Sequence, residues 1–291
     1  MKSAITLSAV SAAIALTITS AHAIDIDAGD YTALPPGTNL ALLYAQHAER
    51  QSLYANGQRV PGNNGLDSDI GILRLIHFTK IGDYVVNPQV LLPFGRLKAT
   101  GDLSTPLGSA SGSGDLIFAA TAWTLNDPER RRYFGITPFV FAPTGSYDAG
   151  KALNLGENRW KYALQVAYIH GVGDKWTFDA AADVTAYGKN SDAGGGQSMS
   201  QSNSYQVQAF ARYALSPTWD LRAGLSHARM GATQLNGVDQ GNAARVTKVQ
   251  LGTALFVDPK TQLLFTVGRD LKVDNTFKES ARVNLRVLRV F

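Results

Sequence analysis

Beyond residue 23 the chain carries four histidines, His47, His77, His170 and His227, and no cysteine anywhere. A metal centre needs several nitrogen, sulfur or carboxylate donors at ligand spacing, and these histidines show none. Ser226-His227 sets a nucleophile beside a base, which is where hydrolase chemistry begins. Neighbours along a strand point to opposite faces, however, so this pair shares a site only with help from another strand. The stretch Gly108-Ser109-Ala110-Ser111-Gly112-Ser113-Gly114-Asp115 has the glycines of a phosphate cradle but neither its lysine nor its strand-to-helix setting. It reads as a flexible exterior loop entering a strand, and Gly194-Gly195-Gly196 reads the same way. No catalytic, cofactor-binding or metal-binding residue is assigned.

Charges with a common strand parity are the better lead. Asp179 and Asp183 lie on one parity line, and Lys161, Arg212 and Arg222 fall on candidate inner faces of nearby segments. Such groups either line a conduit or cross-link a filled interior through ion pairs.

The elements that must position them are strands. Twelve candidates cover 39–54, 69–81, 84–97, 113–124, 131–143, 160–170, 175–187, 205–215, 219–230, 245–257, 262–271 and 279–291. Within 175–187, Trp176, Phe178, Ala180, Ala182 and Val184 share one face, and Thr177, Asp179, Ala181, Asp183 and Thr185 the other. Compact links such as Gly82-Asp83, Ser216-Pro217-Thr218 and Asp258-Pro259-Lys260-Thr261 alternate with longer polar ones at 55–68, 98–112, 144–159, 188–204, 231–244 and 272–278. That alternation, with an apolar-out, polar-in parity, predicts an all-β fold: a closed antiparallel transmembrane barrel of twelve strands. Closure follows from the backbone, because an unpaired edge in hydrocarbon leaves amides that cost several kcal/mol each.

One residue disturbs the pattern. Arg74 shares parity with Ile70, Ile72, Ile76 and Phe78, which would turn a cation toward lipid at a cost of about 2–4 kcal/mol. A bulge near Gly71 is the expected remedy.

The chain ends fit export. Lys2, the apolar run to Ile18 and Ala21-His22-Ala23 read as a cleavable leader, residues 1–23. The remainder, 24–291, reads as one barrel domain preceded by a short periplasmic segment rich in turn residues. The last strand stops on Phe291. With 27 basic and 23 acidic residues and no dense basic tract, nucleic acid is not an expected partner.

Gly29-Asp30-Tyr31, Pro35-Pro36-Gly37-Thr38, Pro138 to Tyr147, Asn154 to Trp160 and Ser113-Gly114-Asp115 together resemble a bacterial family named for the meta-pathway of phenol degradation. The resemblance spans nearly all of the chain after the leader. It implies an outer-membrane barrel in a Gram-negative cell, with uptake of aromatic or other hydrophobic compounds. The resulting expectation is a pore or facilitator for passive uptake of a small, hydrophobic or aromatic compound, with no cofactor and both termini periplasmic. Its partners would be outer-membrane lipid, the barrel-assembly machinery through the strand ending at Phe291, and a small hydrophobic solute. The alternatives are a structural or loop-presenting barrel with an occluded lumen and, behind it, a lipid-modifying enzyme.

Overall fold

The computed structural model describes residues 24–291; the expected leader, with its cleavage pattern and His22, lies outside the described residues. Alternating side-chain character over 11 to 18 residues builds each wall strand. In chain order these are β1 (Asn39–Ala55), β2 (Asn64–His77), β3 (Tyr84–Gly101), β4 (Leu116–Asp127), β5 (Arg132–Ala142) and β6 (Lys161–Val172). They continue as β7 (Trp176–Tyr187), β8 (Ser204–Ser216), β9 (Trp219–Met230), β10 (Ala244–Asp258), β11 (Thr261–Asp274) and β12 (Phe277–Val290). Each pairs antiparallel with the next, and β12 closes on β1 from Leu40↔Val290 to Leu53↔Phe277. No rim of free amides remains between first and last strand, which is what a hydrocarbon solvent demands.

The outer face carries the large apolar side chains, among them Leu43, Leu73, Leu75, Phe118, Leu164, Val207, Leu251 and Leu285. Exposed grease on this scale suits lipid and not water. One end of the barrel holds the short turns, the start of β1 and the C-terminal residue; the other holds the longer loops. Two-residue Asn-Gly turns cap small hairpins at the loop end. Asn56-Gly57 has φ of 52° and 75°, Asn236-Gly237 has 47° and 84°, and their flanking pairs are Ala55↔Gln58 and Leu235↔Val238. Both central residues need positive φ, which Asn and Gly tolerate best.

Three expectations need correction. Arg74 requires no bulge: β1 and β2 pair without interruption from Asn39↔His77 to Ala48↔Ser68, through Gly71. Its whole parity line, Ile70, Ile72, Arg74 and Ile76, faces inward, while Leu73 and Leu75 face lipid. Parity says which residues share a face but not which face that is.

The entry segment also departs from expectation. Residues 24–31 run inside the barrel and bond to its inner wall, instead of lying outside it. Finally, Ser109–Ser113 is no free loop: it pairs with Phe94–Lys98 of β3, after one helical turn at Ser104–Leu107. Within the long polar link 188–204, Met199–Gln201 joins Thr233–Leu235 and Val238–Asp239 in a small sheet at the loop end.

Candidate functional site

The interior is built around the N-terminal segment. Asp27 to Asp30 forms a tight turn, with Asp30 N–H donating to Asp27 O at 3.0 Å, and Gly29 takes φ of 94°. The turn aims two carboxylates at inward cations. Arg286 Nη1 donates to Asp27 at 2.8 Å and Asp30 at 3.1 Å, and Arg74 Nη1 donates to Asp30 at 2.9 Å. Arg74 also reaches Tyr44 Oη at 3.2 Å and Gln89 Oε1 through Nε at 2.9 Å. A little further in, Asp25 accepts from Gln206 Nε2 at 2.8 Å and Arg282 Nη1 at 3.1 Å, with Lys248 Nζ at 3.5 Å.

At the turn end an apolar cluster seals the barrel around this segment. Tyr31 packs with Ile26, Leu42, Phe78, Trp123, Tyr133, Ile169 and Phe210. Phe78 and Trp123 stack with centroids 5.6 Å apart, and Trp123 Nε1 donates to Tyr31 O at 2.8 Å. The Tyr31 hydroxyl lies 2.7 Å from that of Thr137 and donates to Gln165 at 2.9 Å. Burying an aromatic ring with its hydroxyl satisfied holds a segment firmly.

The loop between β5 and β6 folds over the opposite end. Asp115, just ahead of β4, accepts from Gly145 N–H and Glu157 N–H, each at 3.0 Å. Gly145 and Gly156 touch: a Cβ on Gly145 would stand 2.7 Å from the Gly156 Cα. This close passage drives Leu153, only 1% exposed, into a cluster with Leu53, Leu66, Leu97, Leu107 and Phe277. Glu157 then bonds Lys161 and Arg159, the latter at 2.7 Å, while Arg159 reaches Gln201 at 2.6 Å and lies 4.5 Å from the centroid of the Tyr187 ring. Burial alone would raise the Glu157 carboxyl, but Lys161 and Arg159 outweigh it and hold it at about 2.

Between lid and N-terminal segment lies a cavity of about 360 Å³. One wall is apolar: Ile70, Ile72, Leu91, Pro93, Ile117, Phe139, Phe141 and Leu155. The charged lattice of Asp25, Asp27, Arg74, Arg282 and Arg286 lines the rest of it. A second cavity, about 100 Å³, lies beyond Arg282 among Gln206, Ser226, Asn242, Lys248, Asp270 and Glu279.

The five charges singled out in the sequence all sit on inward faces but do not meet at one place. Lys161 belongs to the lid, bonded to Glu157. Arg212 donates to Asp179 at 3.0 Å, and Asp179 also accepts from Gly29 N–H. Arg222 pairs with Asp220 and donates to Ala28 O at 2.6 Å. Asp183 accepts from Gln165 Nε2 at 3.2 Å. Ser226 lines the small cavity, whereas His227 faces outward with Nδ1 2.9 Å from Thr247 Oγ1, so the pair is split across the wall. Among the described residues no three His, Asp or Glu side chains form a metal-binding group.

Arg282 and Arg286 alternate with Val283, Leu285 and Val287, a parity that marks them as an inward line in the sequence. Asp25, Asp27 and Asp30 carried no such signal, because a segment outside the strands has no parity.

A closed twelve-strand cylinder, apolar outside and holding a partly filled lumen, defines an outer-membrane β-barrel protein. Residues 51–287 match the family described as "Putative MetA-pathway of phenol degradation", and the chain belongs to that family. An outer membrane channel from Pseudomonas putida F1 is 42% identical, with a TM-score of 0.88, over 92% of this chain and 100% of that one. The β-domain of a Bordetella autotransporter shares the fold alone, at 9% identity and a TM-score of 0.50 over 88% of this chain and 100% of that one. No curated protein matches the chain.

Proposed function

We propose that the protein is a facilitator for passive entry of a small hydrophobic or aromatic compound across the outer membrane. The carrying observation is the 360 Å³ cavity, which sets an apolar surface of Ile70, Ile72, Ile117, Phe139 and Phe141 beside charged groups inside the lumen. A pocket of this size and lining accommodates a ring-sized apolar molecule, and the guanidinium and carboxylate groups that also line it offer hydrogen bonds to a polar substituent. The kinship to an outer membrane channel supports the same reading. In this reading the short turns and the C-terminus face the periplasm, and the loop-end lid faces outside. Passage requires the lid or the N-terminal segment to shift. The reading gives no catalytic role to Ser226 or His227, which project to opposite sides of the wall.

A second reading, a structural barrel with an occluded lumen, is favoured by one observation. The segment 24–31 is bonded to nine of the twelve wall strands, from β2 to β12, and packs within the turn half of the lumen. Reconstitution into liposomes, with parallel uptake of polar solutes and simple aromatics, separates the two. Faster entry of aromatics than through protein-free membranes supports the facilitator. Correctly folded protein that passes neither class leaves only the structural role.

A further inference from the structure

The inner end of the N-terminal segment meets a carboxylate that lacks a cation. Asp183, on the inward face of β7, is only 6% exposed. Its Oδ2 takes the Gln165 hydrogen bond, but its Oδ1 has no hydrogen-bond partner. The neighbouring Asp179 has Arg212 at 3.0 Å; no Lys or Arg among the described residues pairs with Asp183. Directly across the ladder, Gln206 gives its Nε2 to Asp25 and leaves its buried Oε1 without a partner. An ionised carboxylate in such a place is costly unless a counter-charge and donors complete it.

Ile24 lies against this gap. Its carbonyl accepts from Gln165 Nε2 at 3.0 Å and from Gln208 Nε2 at 2.9 Å, and its backbone nitrogen faces the Asp183 carboxylate. In an unprocessed chain that nitrogen is an amide with a single N–H and no charge. The Ala21-His22-Ala23 pattern places the expected cleavage immediately before it.

We propose that removal of the leader makes the missing cation: the α-ammonium of Ile24, which docks on Asp183 Oδ1 and Gln206 Oε1. Water adds across the Ala23–Ile24 peptide bond in a leader-cleaving protease. Ala23 leaves with the carboxylate, and Ile24 keeps the amine, which takes up a proton near neutral pH. Three donors and one positive charge then meet two unfilled acceptors and one unpaired negative charge. The N-terminal segment is fastened by Tyr31 near the rim and by the Ile24 carbonyl further in, and processing adds the ion pair to Asp183 at that inner end.

The test labels α-amines with an acetylating reagent on protein purified from outer membranes, folded in detergent and then unfolded, with the first residue established by intact mass. The proposal expects a chain beginning at Ile24, with its α-amine acetylated roughly tenfold more slowly in the folded protein than after Asp183→Asn. A chain with one glycine inserted between Ala23 and Ile24 changes no side chain and displaces the amine, so it too should lose protection; this variant decides the matter if Asp183→Asn does not fold. A mature chain beginning elsewhere, or equal labelling of wild type and of whichever variants fold, overturns the proposal.

Discussion

The Arg286 guanidinium lies 2.8 Å from the Asp27 carboxylate, tying the last strand of the wall to the segment that fills the lumen. The pair is buried, with side-chain exposures of 5% and 17%, and Asp30 lies 3.1 Å from the same nitrogen. The hydrogen-bonded wall thus holds its contents by charge. Removing one partner of a buried pair costs about 3–5 kcal/mol, because the other is left without a counter-charge.

Arg286→Ala is therefore expected to loosen the N-terminal segment while β12 keeps its ladder to β1. Planar-bilayer recordings should show higher conductance than wild type, with the folded barrel still migrating as a compact band before heating. Unaltered conductance would mean that the segment does not limit the lumen.

Arg74 offers a test of facing. An arginine turned toward mid-bilayer lipid would gain about 2–4 kcal/mol on replacement by leucine. Because Arg74 instead bridges Asp30, Tyr44 and Gln89 inside, Arg74→Leu should lower the temperature at which the folded band is lost on heating. A rise in that temperature would contradict the inward placement.

The lid depends on Glu157. Its carboxyl is held at about 2, below the ordinary 4.5, so its stabilising contribution is complete above about pH 4.5 and disappears as pH falls through about 2. Protease resistance of the 143–160 loop should accordingly be unchanged between pH 5 and pH 8, where the carboxylate stays ionised. Glu157→Gln, which leaves Arg159 and Lys161 without their carboxylate, should expose that loop to cleavage at every pH.

The apolar wall sets the cargo in the facilitator reading. Ile72→Trp fills the cavity with an aromatic ring in place of a small aliphatic group and should slow liposome uptake of simple aromatics without lowering barrel stability. Uptake at the wild-type rate would place the route elsewhere.

Much of the architecture was legible before any coordinates. Alternation at period two in segments such as 175–187, short turns against long links, and the need to satisfy every amide in hydrocarbon lead to twelve strands and a closed cylinder. The ladder from Leu40↔Val290 onward realises that closure. The inward charges Asp179, Asp183, Arg212 and Arg222 were legible for the same reason, since parity along one strand is a local property.

What fills the cylinder was decided by tertiary structure alone. Asp25, Asp27, Asp30 and Tyr31 belong to no strand, so no periodicity points them anywhere, and their partners Arg282, Arg286, Arg74 and Gln165 lie up to 259 residues away. Arg74 looked misplaced only because the isoleucines beside it were taken for the lipid face, when they form the apolar side of the cavity. Sequence period determines which side chains travel together; whether they meet lipid, water or a returning segment depends on closing the wall around them.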